Sequence, residues 1–68
     1  MHHLEIFTTP SVLYRGKPAE LTAQELAAAR KIAANFSDLK FLSLECEDGQ
    51  ERFFNPANVV WIAVMEDK

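Results

Sequence analysis

A chain of 68 residues with a net charge of −3 and one cysteine makes a single small domain (residues 1–68) without an internal disulfide, its core marginal unless very well packed or shared with another chain. Its longest apolar run, Val59 to Met65, falls far short of the ~20 residues a membrane-crossing helix needs, and no signal-peptide pattern is visible, so a cytoplasmic protein is expected. In the last third Glu45, Glu47, Asp48, Glu51, Glu66 and Asp67 are offset only by Arg52 and Lys68, an acidic balance that speaks against general nucleic-acid binding.

Leu4 to Thr9 is short, β-branched and aromatic, and is closed by Pro10, which has no N–H for a central ladder. It reads as an N-terminal strand at a sheet edge. Val12-Leu13-Tyr14 reads as a second short strand, ended by the turn-like Arg15-Gly16-Lys17-Pro18.

The helix has the clearest local signals. Thr22 with Glu25 three positions on forms a capping box, and Leu21 with Leu26 can form the hydrophobic staple beside it. From Ala23 to Phe36 most residues are strong helix formers, with Leu26, Ala29, Ile32, Ala33 and Phe36 on one face and Gln24, Lys31 and Asn35 on the other. The alanines at 29 and 33 let such a helix lie close across a sheet. Ser37-Asp38 ends it.

Leu39 to Cys46 and Glu51 to Phe54 flank Asp48-Gly49, two residues that tolerate positive φ, which predicts a hairpin with a two-residue type I′ loop. That register sets Glu45 across from Arg52, Leu44 across from Phe53 and Ser43 across from Phe54. Leu42, Leu44, Cys46 and Phe53 then face the helix, while Phe41, Ser43 and Phe54 face outward. Asn55-Pro56-Ala57-Asn58 breaks the chain before the last strand. In that strand Val59, Trp61, Ala63 and Met65 point one way, and Val60, Ile62 and Val64 the other, so both faces are apolar.

Together these elements predict an α+β fold of order β-(β)-α-β-β-β, one amphipathic helix packed on a small antiparallel sheet whose last three strands form a meander. A single helix covers one face only. The other would carry Phe41, Phe54 and either Trp61 or Ile62 with its neighbours, more apolar surface than a monomer usually leaves wet. Curling of the sheet toward a small barrel, a homodimer packed sheet to sheet, or docking of another protein would each hide it.

Catalytic and metal-binding patterns are missing from the sequence. There is no Cys-x-x-Cys, His-Glu-x-x-His, Gly-x-x-x-x-Gly-Lys-Ser/Thr or Gly-x-Ser-x-Gly, and two glycines cannot build a phosphate-cradling loop. His2-His3 has no Cys or acidic cluster beside it in the sequence and reads as incidental rather than metal-binding. Cys46 lies in an apolar strand pattern and reads as a buried thiol suited to a reducing compartment. No enzyme activity, cofactor, metal or small-molecule substrate is expected.

The segment Phe53-Phe54-Asn55-Pro56-Ala57-Asn58-Val59-Val60-Trp61-Ile62 resembles the strand-turn-strand element that closes small β modules, including LytTR-type DNA-binding domains and small flagellar FlbD-like proteins. The rest of the chain departs from both: a capped helix precedes the hairpin, and the basic DNA-contacting residues of LytTR domains are missing. No function is carried over from the likeness.

The leading expectation is a small non-enzymatic interaction protein that self-associates or binds a protein partner through Phe41, Phe54 and Trp61. The acidic group Glu45, Glu47, Asp48 and Glu51 at the hairpin tip would serve as a docking surface that orients the encounter. The alternative is a nucleic-acid-associated regulator acting as a dimer that pools Arg15, Lys17, Arg30 and Lys31 from two copies.

Overall fold

The first strand carries the fold. In the computed structural model, which describes residues 1–67, β1 (His2–Thr8) lies between β2 (Val12–Arg15) and β5 (Val59–Glu66), antiparallel to both. The edge position expected from Pro10 is therefore wrong. Pro10 sits in the connection between β1 and β2, beyond the ladder, where a missing N–H costs no strand pairing. Alternation turns Leu4 and Ile6 inward, opposite Val64 and Ile62 of β5, with Tyr14 beside Ile6 on β2. Ile6, at the centre of the central strand, is only 2% exposed.

Strict alternation fails once in β5. Phe7 pairs with Trp61, but Thr8 pairs with Val59, so Val60 is the extra residue of a bulge. Val59 is thereby returned to the buried side with Ile62, while Val60 and Trp61 are both exposed. A regular strand would have put Val59 beside Trp61.

The second sheet is the hairpin of β3 (Leu42–Glu45) and β4 (Glu51–Phe54). The expected three-stranded meander does not form. After β4, a 3-10 turn at Pro56–Asn58, with Asn55 Oδ1 accepting from the Ala57 N–H at 3.0 Å, redirects the chain, and the eight-residue β5 pairs with the seven-residue β1 instead. The two sheets meet at a corner, where Gly16 bridges Cys46, the Lys17 N–H donates to Glu45 O at 2.8 Å and the Glu47 N–H donates to Arg15 O at 3.1 Å. A Cβ at Gly16 would come within 2.8 Å of Leu44 Cδ1 and 3.1 Å of the Leu4 carbonyl oxygen, so this close crossing needs glycine. Strands follow one another as β5-β1-β2-β3-β4 around a bent surface, and among the described residues β4 and β5 do not pair, which leaves the barrel open.

The hairpin loop is one residue longer than a type I′ turn. The Gly49 N–H donates to Cys46 O (2.9 Å), the Cys46 N–H donates to Gln50 O (2.8 Å), and only Gly49 has positive φ, at 85°. This is a three-residue loop in which glycine closes a bulge. The register moves by one residue: Leu42 opposes Phe54, Ser43 opposes Phe53, Leu44 opposes Arg52 and Glu45 opposes Glu51. Consequently Phe53 and Phe54 exchange faces relative to the sequence-based expectation. The Glu45–Arg52 pair is replaced by a like-charge Glu45–Glu51 pair, and Arg52 binds Asp48 instead, at 2.8 and 3.0 Å.

The helix α1 (Ala23–Asn35) starts as expected, with Thr22 Oγ1 accepting from the Glu25 N–H at 3.1 Å and the Thr22 N–H donating to Glu25 Oε1 at 3.0 Å. Thr22→Ala should cost about 1 kcal/mol through loss of the cap, measurable as a lower midpoint in urea. Phe36, expected as the last helical residue, instead opens a 3-10 turn, Phe36–Asp38. Ala33 and Phe36 pack on a core of Ile6, Leu42, Leu44, Cys46, Val59 and Ile62. Yet no residue of the helix is fully buried, and Ile32 is 41% exposed. No helix among the described residues is long and apolar enough to cross a membrane.

Candidate functional site

The outer face of the three-stranded sheet has two halves. At one end Leu13, Phe7 and Trp61 form a row across β2, β1 and β5, their order set by the pairings Phe7–Leu13 and Phe7–Trp61. The rings of Phe7 and Trp61 stack, with centroids 5.4 Å apart and planes 16° from parallel. Leu13, Val60, Trp61 and Met65 are all exposed. The hairpin and the helix contribute their packed residues to the opposite, Ile6 side of this sheet. The accessible area of 4891 Å² exceeds the roughly 4,300 Å² expected for a folded chain of this mass, in keeping with apolar faces left uncovered.

The other end of the same face is polar and closed upon itself. His3 Nε2 lies 2.9 Å from Glu5 Oε2, and His3 Nδ1 lies 2.8 and 2.9 Å from the two carboxylate oxygens of Asp67. Only the imidazolium, with two N–H donors, satisfies both carboxylates. Arg15 Nε approaches Glu5 at 3.4 Å from the other side. The hydrogen bond to Glu5, and after it the one to Asp67, raises the His3 pKa above its ordinary 6.5. Because the folded value lies above the unfolded one, this clasp stabilises fully below pH ~6.5, and its contribution fades as pH rises through the folded pKa. Thermal melts stepped upward from pH 6 should therefore show wild type losing stability relative to His3→Gln; parallel curves would remove the imidazolium from the clasp. With both ring nitrogens engaged by carboxylates, the His3 side chain ties the first strand to Asp67, just past β5.

The three aromatics expected to share one patch are dispersed. Phe41, 65% exposed, lies near Phe53, 68% exposed, on the outer side of the hairpin, with centroids 6.5 Å apart. Phe54 turns inward and meets Tyr14 edge-on at 5.0 Å. Trp61 lies on the outer face of the other sheet. Phe7, Leu13 and Phe53 carry no local signal in the sequence that marks them as surface residues. Phe7 gains its place only from the β1–β5 pairing, and Phe53 only from the bulged loop.

The acidic group likewise divides. Asp48 is held by Arg52 and by the Gln50 N–H, which together bring its pKa down to about 2, and the Arg52 guanidinium lies 5.7 Å from the Tyr14 ring centroid. Glu45 and Glu51 stand directly opposite one another on the outer face beside Phe53, both exposed, and no cation partners either among the described residues. Glu47 is exposed in the loop. Cys46 is buried, its Sγ 3.8 Å from the Leu44 carbonyl oxygen. No group of three or more His, Cys, Asp or Glu among the described residues is arranged to hold a metal.

Comparisons with protein-family models, with curated proteins and with solved structures find no match to this chain.

Proposed function

We propose that this chain is a small protein–protein interaction module that self-associates through the outer face of its three-stranded sheet. The observation that carries this reading is the row of Leu13, Phe7 and Trp61, in which exposed Leu13 and Trp61 flank a half-buried Phe7 and exposed Val60 adjoins Trp61, on a face that no other element covers among the described residues. Two such faces packed together would bury the rows against each other at the usual sheet spacing of about 10 Å, the arrangement by which small domains share a core. The charged half of the face carries both signs, from His3 and Arg15 and from Glu5 and Asp67, so a second copy meets no net like-charge barrier. A single buried thiol suits a protein of a reducing compartment.

The nucleic-acid alternative draws little support from the fold. Of the four cations it would pool, Arg15 leans on Glu5, while Lys17 lies in the corner between the sheets and Arg30 and Lys31 lie on the helix, so they form no stripe along one element.

Sedimentation equilibrium over a hundredfold range of concentration tests the proposal. Wild type should dimerise, and Trp61→Glu should be monomeric with an unchanged far-UV spectrum, because Trp61 is exposed and its replacement leaves the core intact. A wild type that stays monomeric throughout overturns self-association. A dimer that survives Trp61→Glu places the interface on another surface.

A further inference from the structure

The free edge of β4 presents a second surface, independent of the sheet face proposed for dimerisation. In an antiparallel hairpin, pairs that exchange hydrogen bonds alternate with pairs that do not. The Cys46–Gln50 bond sets that alternation, so Arg52 and Phe54 bond to Leu44 and Leu42 of β3, while Glu51 and Phe53 turn their backbone N–H and C=O groups outward. No strand pairs with this edge among the described residues. The side chains of the same two residues share the outer face, where Phe53 adjoins Phe41 and Glu51 adjoins Glu45. Unpaired backbone on β4, an exposed aromatic pair and an uncompensated carboxylate pair thus coincide on the outer face of one short hairpin.

We propose that β4 accepts an extended segment of a protein partner as an added strand, with a Lys or Arg of that segment set against Glu51 and Glu45 and an apolar side chain two residues away set against Phe53 and Phe41. The two-residue spacing follows from the strand itself, because residues i and i+2 of an added strand fall on the same face, as Glu51 and Phe53 do. The positive charge follows from the carboxylates: Glu45 and Glu51 repel one another across the hairpin, and a cation set beside Glu51 on the added strand offsets that repulsion. A second copy of this chain fits the edge less well. Pairing β4 on β4 about Glu51 stacks two carboxylates, pairing about Arg52 stacks two guanidiniums, and pairing about Phe53 leaves Glu45 and Glu51 unmatched.

A displayed library of random decapeptides, panned against the whole wild-type protein and separately against Glu51→Lys, tests this. Peptides selected on wild type should share a basic residue two positions from an aliphatic or aromatic one, and should lose about tenfold in affinity for Glu51→Lys, as expected when a close charge pair is reversed. Those selected on Glu51→Lys should carry Asp or Glu at the basic position. The best synthetic peptide should slow amide exchange at Glu51 and Phe53, and should still bind Trp61→Glu, which separates this edge from the dimer face. Failure to select any peptide, selected peptides indifferent to Glu51→Lys, or protection arising elsewhere in the chain would overturn the proposal.

Discussion

Ile6→Ala should lower stability by roughly 2–5 kcal/mol, the usual cost of cutting a buried isoleucine to alanine with its attendant cavity. For a chain of this length total stability amounts to only about 3–10 kcal/mol, so the variant should be partly or wholly unfolded at 25 °C. The size of the effect follows from position. Ile6 is the most deeply buried apolar side chain, on the central strand, beside Tyr14 of β2 and Ile62 of β5. Among the described residues it belongs to a core of six, with no large side chain wholly enclosed and no helical residue fully buried. Relaxation around the missing methyls has little neighbouring mass to draw on. Ile32→Ala is the control: that side chain is already substantially in water and should cost under about 1 kcal/mol. Urea unfolding followed by far-UV circular dichroism measures both, and similar losses at the two positions would show that the helix shares the core equally with the strands.

Phe54→Ala should be the second large loss, about 2–4 kcal/mol, while its neighbour Phe53→Ala should change stability by no more than about 0.5 kcal/mol. Phe54 is half-buried, packs on the core and contacts Tyr14 edge-on, whereas Phe53 stands out beside Phe41. The two residues are adjacent and chemically identical, so the contrast reports register alone. Had Asp48-Gly49 formed a two-residue turn, the order of the two effects would reverse. The same shift explains why a charge substitution at Phe54 would unfold the hairpin rather than probe an interface, and why Trp61 is the right position to test dimerisation.

Much of the local structure was legible in the sequence because its causes lie within a few residues. Thr22 and Glu25 satisfy each other's backbone across one helical turn, whatever the rest of the chain does. Asn55 and Pro56 break the chain where they stand, and Val12 to Tyr14 forms a strand as read. The α+β class followed from the order of these elements. The hairpin was placed correctly, but its faces were not. Both Asp48-Gly49 as a two-residue turn and Cys46 to Gln50 as a bulged three-residue loop put Gly49 at positive φ, so the glycine cannot choose between them.

The candidate surfaces were less legible, since each depends on a pairing between distant parts of the chain. The Leu13–Phe7–Trp61 row exists because β5 pairs with β1 instead of β4. The pairing of Glu45 with Glu51 depends on one extra loop residue. His2-His3 reads as incidental until strand pairing carries Asp67, 64 residues along the chain, to the His3 ring.

By itself, then, the sequence determined the element types, the helix start, the breaks and the excess of apolar surface, all governed by propensity, capping and composition. Only the tertiary structure decided which strands are neighbours, which face each aromatic takes and which charges meet. In β-structure a one-residue shift turns every side chain to the other face and a different partner strand changes which residues share it, and the burial that selects among these arrangements is a property of the assembled core.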